Sequence, residues 1–197
     1  MSLLKIHEAK RRLGINSDEH DLLLLDLITD VSSLIETYCD RHFEADDYIE
    51  YQDGLGEDYF LTDEWPINSI ASIYDDPDRE FTSSSLVDSG YYTYYPYEGK
   101  VMLVATGAII GVNLYTVFST SQRGIKITYN AGYTTIPSDL KMIASEIMMK
   151  KFKNIQDKRT GITSIGSAGE SFSITLTDVL PDHKMILNAK YRNRGIM

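Results

Sequence analysis

Residues 17–51 read SDEHDLLLLDLITDVSSLIETYCDRHFEADDYIEY, and within this stretch the hydrophobic period changes. Up to Cys39 the apolar residues Leu24, Leu27, Ile28, Val31, Leu34, Ile35 and Tyr38 recur three and four apart, with Asp26, Asp30 and Glu36 largely off their stripe. Ser17 is the expected N-cap, and Asp18 and Glu19 suit the positive end of a helix dipole. The pattern predicts an amphipathic helix over 17–39 that packs on one side. From Asp46 onward the pattern becomes that of strands. Segments rich in Tyr, Ile and Val at Tyr48–Tyr51, Tyr59–Leu61, Ile67–Tyr74, Tyr91–Tyr95, Val101–Val104 and Gly124–Tyr129 are separated by turn residues such as Asp53, Gly54, Asp75, Asp76 and Pro77. They predict an antiparallel β region of five or six short strands. Pro66 fits the first residue of a strand, where no ladder donor is needed. Residues 109–121 read as either a loop or another strand.

Helical signals flank this region. A short one over 3–13 rests on Leu3, Leu4, Ile6 and Leu13 and stops at Gly14. A stronger one over 138–159 opens at Pro137 and Ser138, carries Leu140, Ile143, Ala144, Ile147, Met148 and Phe152 on one face, and gathers Lys150, Lys151, Lys153, Lys158 and Arg159 at its negative end. Residues 160–177 hold eleven Gly, Ser or Thr in eighteen, a composition that suits a flexible arm. Within it Phe172, Ile174 and Leu176 alternate with polar residues like a strand seeking an edge. A last short helix is expected from Asp178 to about Arg192. The fold class is therefore α+β: a small α-helical bundle with an antiparallel β insertion (46–130) between the second and third long helices, and a flexible C-terminal arm. The expected division is a core of 1–159 and an arm of 160–197.

The composition narrows the function. At 197 residues, 43% apolar and 24% charged, the chain is an ordinary globular sequence. A net charge of −10 argues against a broad basic surface for nucleic acid. The charge is divided: residues 1–100 carry a net −16 and residues 101–197 a net +6. The halves attract, within one molecule or between copies. No apolar run is long enough for a membrane span or a signal peptide, so a soluble chain made in the cytoplasm is expected. The single cysteine, Cys39, excludes an internal disulfide and any multi-cysteine zinc site.

Chemistry-bearing motifs are sparse. The one Gly-Lys pair, Gly99 and Lys100, lacks the glycine five positions back that a phosphate loop requires. The four histidines are not at the i, i+4 spacing that joins two imidazoles on a metal, and Cys39 reads as a packing residue. Asp75, Asp76 and Asp78 lack the glycine and the distal glutamate of a calcium loop. Glu50, Asp53, Glu57, Asp58, Asp63 and Glu64, interleaved with Tyr48, Tyr51, Tyr59 and Trp65, are also what a carbohydrate-binding or hydrolytic site contains, and that reading stands as the alternative. No cofactor and no metal are expected.

Three stretches carry a resemblance to a known family. They are Asp21–Phe43 with Ile35, Glu36, Tyr38, Arg41 and Phe43; Trp65, Pro66, Ile67, Ser69, Ile70 and Ile73; and Ile127, Thr128, Tyr129, Ala131, Gly132 and Tyr133 leading through Pro137, Asp139 and Leu140. With the Gly- and Ser-rich ending, Leu180, Pro181, Tyr191 and Arg192, the chain resembles the head-tail connector (head-completion adaptor) family of long-tailed double-stranded DNA phages. The resemblance implies a non-enzymatic virion neck protein that forms a ring, commonly of twelve subunits, beneath the portal and joins the next connector, with DNA passing through the channel without sequence-specific binding. On that reading Phe172, Ile174, Leu176, Val179, Leu180, Tyr191 and Arg192 are the candidate portal or subunit interface. Asp46, Asp47, Glu50, Asp53, Glu57 and Asp58 are the candidate channel-facing acids, because like charge keeps phosphates from sticking.

Overall fold

The structure, a computed structural model, describes residues 2–104, 117–157, 164–167, 170–173 and 179–192. Contacts group the chain into two units, Met1–Arg41 with Ile136–Ile196 and His42–Thr135. This grouping follows the change of hydrophobic period, and it places the C-terminal helix with the first three.

In the helical unit, α1 (Ile6–Leu13), α2 (Asp21–Cys39), α3 (Ser138–Gln156) and α4 (Pro181–Lys190) are the described helices. Each is shorter than the expected span. Leu3 and Leu4 are buried but precede α1, where the Leu3 N–H donates to Ser32 Oγ at 2.9 Å. Helix α1 starts instead at Ile6, with the Glu8 carboxylate reaching back to accept the Lys5 N–H at 2.9 Å, and ends on Gly14 at φ 69°. Ser17 is not the cap of α2. Lys10 Nζ lies 2.6 Å from Asp18 and 2.9 Å from Asp21, so the acids tie the loop to α1 and the helix begins one turn later. The buried stripe of α2, Leu24, Leu27, Ile28, Val31, Ile35 and Cys39, meets Leu140, Ile143, Ala144, Ile147, Met148 and Phe152 of α3 within the same unit. Helix α4 takes Pro181 in its first turn, where the missing N–H costs nothing, and buries His183 and Leu187 at i, i+4.

The β unit contains two three-stranded antiparallel sheets. The first has the order β1 (Asp46–Leu55), β6 (Thr120–Ala131), β3 (Ile67–Asp75); the second has β2 (Tyr59–Leu61), β5 (Lys100–Leu103), β4 (Tyr92–Tyr95). Strand β6 is central, and its residues alternate: Ile125, Ile127, Tyr129 and Ala131 are buried, Lys126, Thr128 and Asn130 are not. The same period on β5 buries Val101 and Leu103. These residues share one core with Phe60, Ile67, Ile73, Val87 and Phe118, so each sheet turns one face inward and one outward. Strand β6 begins earlier than residue 124 because polar residues extend it: Asp75 accepts the Ser119 N–H at 3.0 Å, and Asp53 accepts the N–H of Arg123, which sits at φ 52°. A register shift between Gln52 and Gly54 absorbs that irregularity.

Two further strands, β7 (Ser164–Ser167) and β8 (Glu170–Ser173), pair antiparallel as a separate two-stranded sheet. The expected strand over 171–177 thus finds a partner in its own arm over its first residues. Ile174 and Leu176 lie outside the described residues.

After β6 the chain turns on Gly132 at φ +107°, where an added Cβ would lie 2.4 Å from the Glu44 carbonyl oxygen. The clash is with backbone and cannot relax by a rotamer change. Gly132→Ala is expected to destabilise the β unit by roughly 2 kcal/mol, seen as a lowered thermal midpoint in near-ultraviolet circular dichroism.

Candidate assembly surfaces

Helix α4 is held to α2 and α3 by polar contacts at both ends. Asp139, in the first turn of α3, accepts from Tyr191 Oη at 2.5 Å and from Lys190 Nζ at 3.0 Å. At the other end His183 Nε2 lies 2.8 Å from Glu146, and in the last turn Tyr38 Oη donates to Asn188 at 3.1 Å. Burial alone would raise the Asp139 carboxyl, but hydrogen bonds from Tyr191, Lys190 and the Leu140 N–H hold it below the usual carboxylate range.

This docking sorts the candidate interface residues. Val179 and Tyr191 are buried in their own chain; Leu180 and Arg192 face solvent, Arg192 with its guanidinium 5.9 Å from the Tyr38 ring. Phe172 lies in β8. Met185, 69% exposed on α4, was not marked by periodicity, because an apolar residue on the wrong side of a short helix leaves no distinctive spacing.

The acidic candidates also separate. Asp46, Asp47, Asp53, Glu57 and Asp58 are exposed. Asp47 accepts from Asn130 at 2.7 Å and Asp53 from the Arg123 N–H at 2.7 Å. Glu50 is different: it is half-buried, accepts the Asp63 N–H at 3.1 Å, and receives a short hydrogen bond from Tyr129 Oη. Burial raises its carboxyl above the ordinary range, against the lowering effect of that phenol, and burial likewise pushes the Tyr129 hydroxyl up. Glu64 accepts the His42 N–H at 3.0 Å.

The outer faces of both sheets carry the same device. Tyr51, Lys126 and Tyr74 stand side by side across β1, β6 and β3, and Phe81 joins them, with the Lys126 ammonium 5.5–5.9 Å from the three rings and Arg123 5.5 Å from Tyr51. On the second sheet Lys100 lies 4.2 Å over Tyr59 and 6.0 Å from Tyr95. Exposed aromatics with ring-held cations are the composition of contact surfaces.

Nothing among the described residues converges like a catalytic centre. No group of three or more metal-ligating side chains occurs there. Asp76, from the Asp-rich turn, bonds its own loop: it accepts from the N–H groups of Asp78 (3.0 Å) and Phe81 (2.8 Å). Cys39 is fully buried, and burial pushes its thiol up to about 12, far from a reactive thiolate. The open cleft of about 550 Å³ between the α1–α2 loop and the end of α3 is occupied at its wall by His20 stacked edge-on against Phe152 at 5.4 Å.

Asp139→Asn is expected to loosen α4 by roughly 1–2 kcal/mol at neutral pH. Because the folded carboxyl titrates below its unfolded value, this contribution is present above the unfolded pKa and fades as pH falls through the folded one. Amide exchange of α4 against pH measures it. Glu50 has the opposite sign: its folded pKa is raised, so its contribution is lost as pH rises. Urea midpoints of the parent should fall relative to those of Glu50→Gln as pH rises through and above the carboxylate range.

The model of the head completion protein family matches residues 2–194. No curated protein matches the chain. Among solved structures, the fold is similar to a chain in the neck of an empty gene transfer agent (GTA) particle computed with C6 symmetry, at 14% identity and a TM-score of 0.57, covering 99% of this chain and 92% of that one. A chain in the virion of a native GTA particle matches with the same values. One in the neck of a native particle computed with C12 symmetry matches at 13% identity and 0.53, over 89% of this chain and 84% of that one.

Proposed function

The chain belongs to the head completion protein family, and from that premise and the surfaces above we propose that its copies close into a ring in the particle neck, seated on the portal and joined beyond it to the next connector. As a head completion protein it is a structural component of the virion and performs no reaction. The observation that carries the reading is the extent of the family match, residues 2–194, which includes both units. The similar chains come from neck structures of sixfold and twelvefold symmetry, which supports a cyclic arrangement for this one.

A cyclic ring uses heterologous contacts, in which one face of a subunit meets a different face of the next. A chain divided into a −16 and a +6 half has the complementary charge for that. On the helical unit, Leu180, Met185 and Arg192 are solvent-facing residues on or beside the docked C-terminal helix, and we assign them to the portal or subunit contact. Asp46, Asp47, Asp53, Glu57 and Asp58 face the channel, where they repel the phosphates of passing DNA. Glu50 is left out of this set because its carboxylate is committed to Tyr129 and Asp63. The carbohydrate or hydrolase alternative loses its motive, since Glu50 and Glu64 are bonded within the fold.

Electron microscopy of the purified chain, with and without portal, is the test. Rings are expected, nucleated by the portal if not formed alone. The double variant Leu180→Lys, Met185→Lys should keep the parent's thermal midpoint and lose portal association by roughly tenfold or more. The rings should bind no duplex at low salt, whereas duplex binding through the acidic segment would place those acids elsewhere.

A further inference from the structure

Of the strand edges in the β unit, one is both long and open among the described residues. Strands β2 and β4 have three and four residues, short enough to offer little template. The outer side of β3 is bridged by Leu86 at Tyr74, and the Val87 N–H donates to the Ile73 carbonyl at 2.9 Å. Strand β1 has ten residues, of which Asp46–Gln52 keep an unbroken register with β6, and among the described residues it carries no strand on its other side. It has neither the lysine nor the proline that usually blunts an edge. Three large apolar side chains lie exposed along it: Ile49 (61%), Tyr51 (41%) and Leu55 (66%). The Tyr51 ring is already fixed by Arg123, Lys126 and Phe81, so an aromatic anchor is set before any partner arrives.

The charges on β1 select the occupant. Asp46, Asp47, Glu50 and Asp53 would repel a second β1 laid edge to edge, so the strand excludes its own image. The matching element is in the other half of the chain. Hairpin β7–β8 is a sheet of two four-residue strands, which is marginal in water without a third. Its strand β7, Ser164–Ser167, carries no charge, and the sequence leading to it holds Lys150, Lys151, Lys153, Lys158 and Arg159. An uncharged strand with basic residues before it fits an acidic, apolar edge.

We propose that β1 of one copy receives the β7–β8 hairpin of a second copy, β7 adding as a fourth strand along Asp46–Gln52, so that neighbouring subunits share a sheet. The inference rests on the ring reading and names the contact that joins the ring. Edge and hairpin are different segments of the chain, so the contact is heterologous and propagates around a closed ring.

Hydrogen exchange of the full chain, as monomer and as assembled ring, tests it. Amides in 46–52 and 164–173 should exchange at least roughly tenfold more slowly in the ring. Ile49→Lys, at an exposed position, should restore monomer rates in both segments and weaken assembly while leaving the monomer's thermal midpoint unchanged. As a second measurement, mixed Ile49→Cys and Ile165→Cys chains should cross-link on oxidation, with buried Cys39 silent and a Leu22→Cys plus Ile165→Cys mixture giving no product. Rings whose two segments exchange at monomer rates, or in which the Ile49→Cys and Ile165→Cys chains do not cross-link, overturn the shared sheet and leave the ring standing. A chain that never assembles, alone or on a portal, overturns both.

Discussion

Fifteen carboxylates lie between His42 and Thr135 against four Lys or Arg, and this segment folds because strand β6 keeps its two sides apart. On the inner side Ile125, Ile127, Tyr129 and Ala131 lose essentially all contact with water. Burying each of the isoleucines is worth roughly 1.5–3 kcal/mol, and that is the favourable term set against the mutual repulsion of the acids outside. The acids can stay solvated because the period of the strand sends neighbouring residues to opposite faces. Where carboxylates do enter, donors are there to meet them: the Tyr129 hydroxyl and the Asp63 N–H at Glu50, the His42 N–H at Glu64, and the Asp78 and Phe81 N–H groups at Asp76. A buried acid without those donors would cost far more than it contributes.

Excess acid also governs how the few cations are used. Lys100, Arg123 and Lys126 lie over aromatic rings, mostly tyrosines. A ring holds the cation in place without cancelling its charge, so the outer faces of both sheets remain polar, aromatic and ordered. Such surfaces lose little entropy on contact, which suits a protein whose work is to be joined to others.

The helical unit meets a different demand. Four segments far apart in sequence must close around the apolar faces of α2 and α3, and the last of them, α4, is short and only weakly amphipathic. Its place is fixed by directional bonds to Asp139, Glu146 and Tyr38 at its two ends. Hydrogen bonds of this kind add modest stability but set register, and register decides that Leu180, Met185 and Arg192 look outward. Membership in the head completion family agrees with the proposal that those outward residues meet other subunits or the portal.

What the sequence determined by itself was whatever depends on local period and composition. The stripe of α2, the apolar face of α3, the alternation of β6, the stop at Gly14 and the uneven charge are all written in neighbours three, four or two residues apart. The α+β class followed from these, whereas the likeness to connector proteins rested on particular residues, among them Arg41, Phe43, Trp65, Pro66, Gly132 and Tyr133. Tertiary structure alone decided the rest. Ser17 lost its place as a cap because Lys10, on another helix, took Asp18 and Asp21. Six strands of one apparent region were dealt into two sheets, since pairing depends on which edges meet across long separations. Glu50 was parted from the other acids, Val179 and Tyr191 were turned inward, and Ile49 and Met185 were left in water. Exposure is a property of what packs against a residue, and those partners lie tens of residues away, beyond the reach of any local pattern.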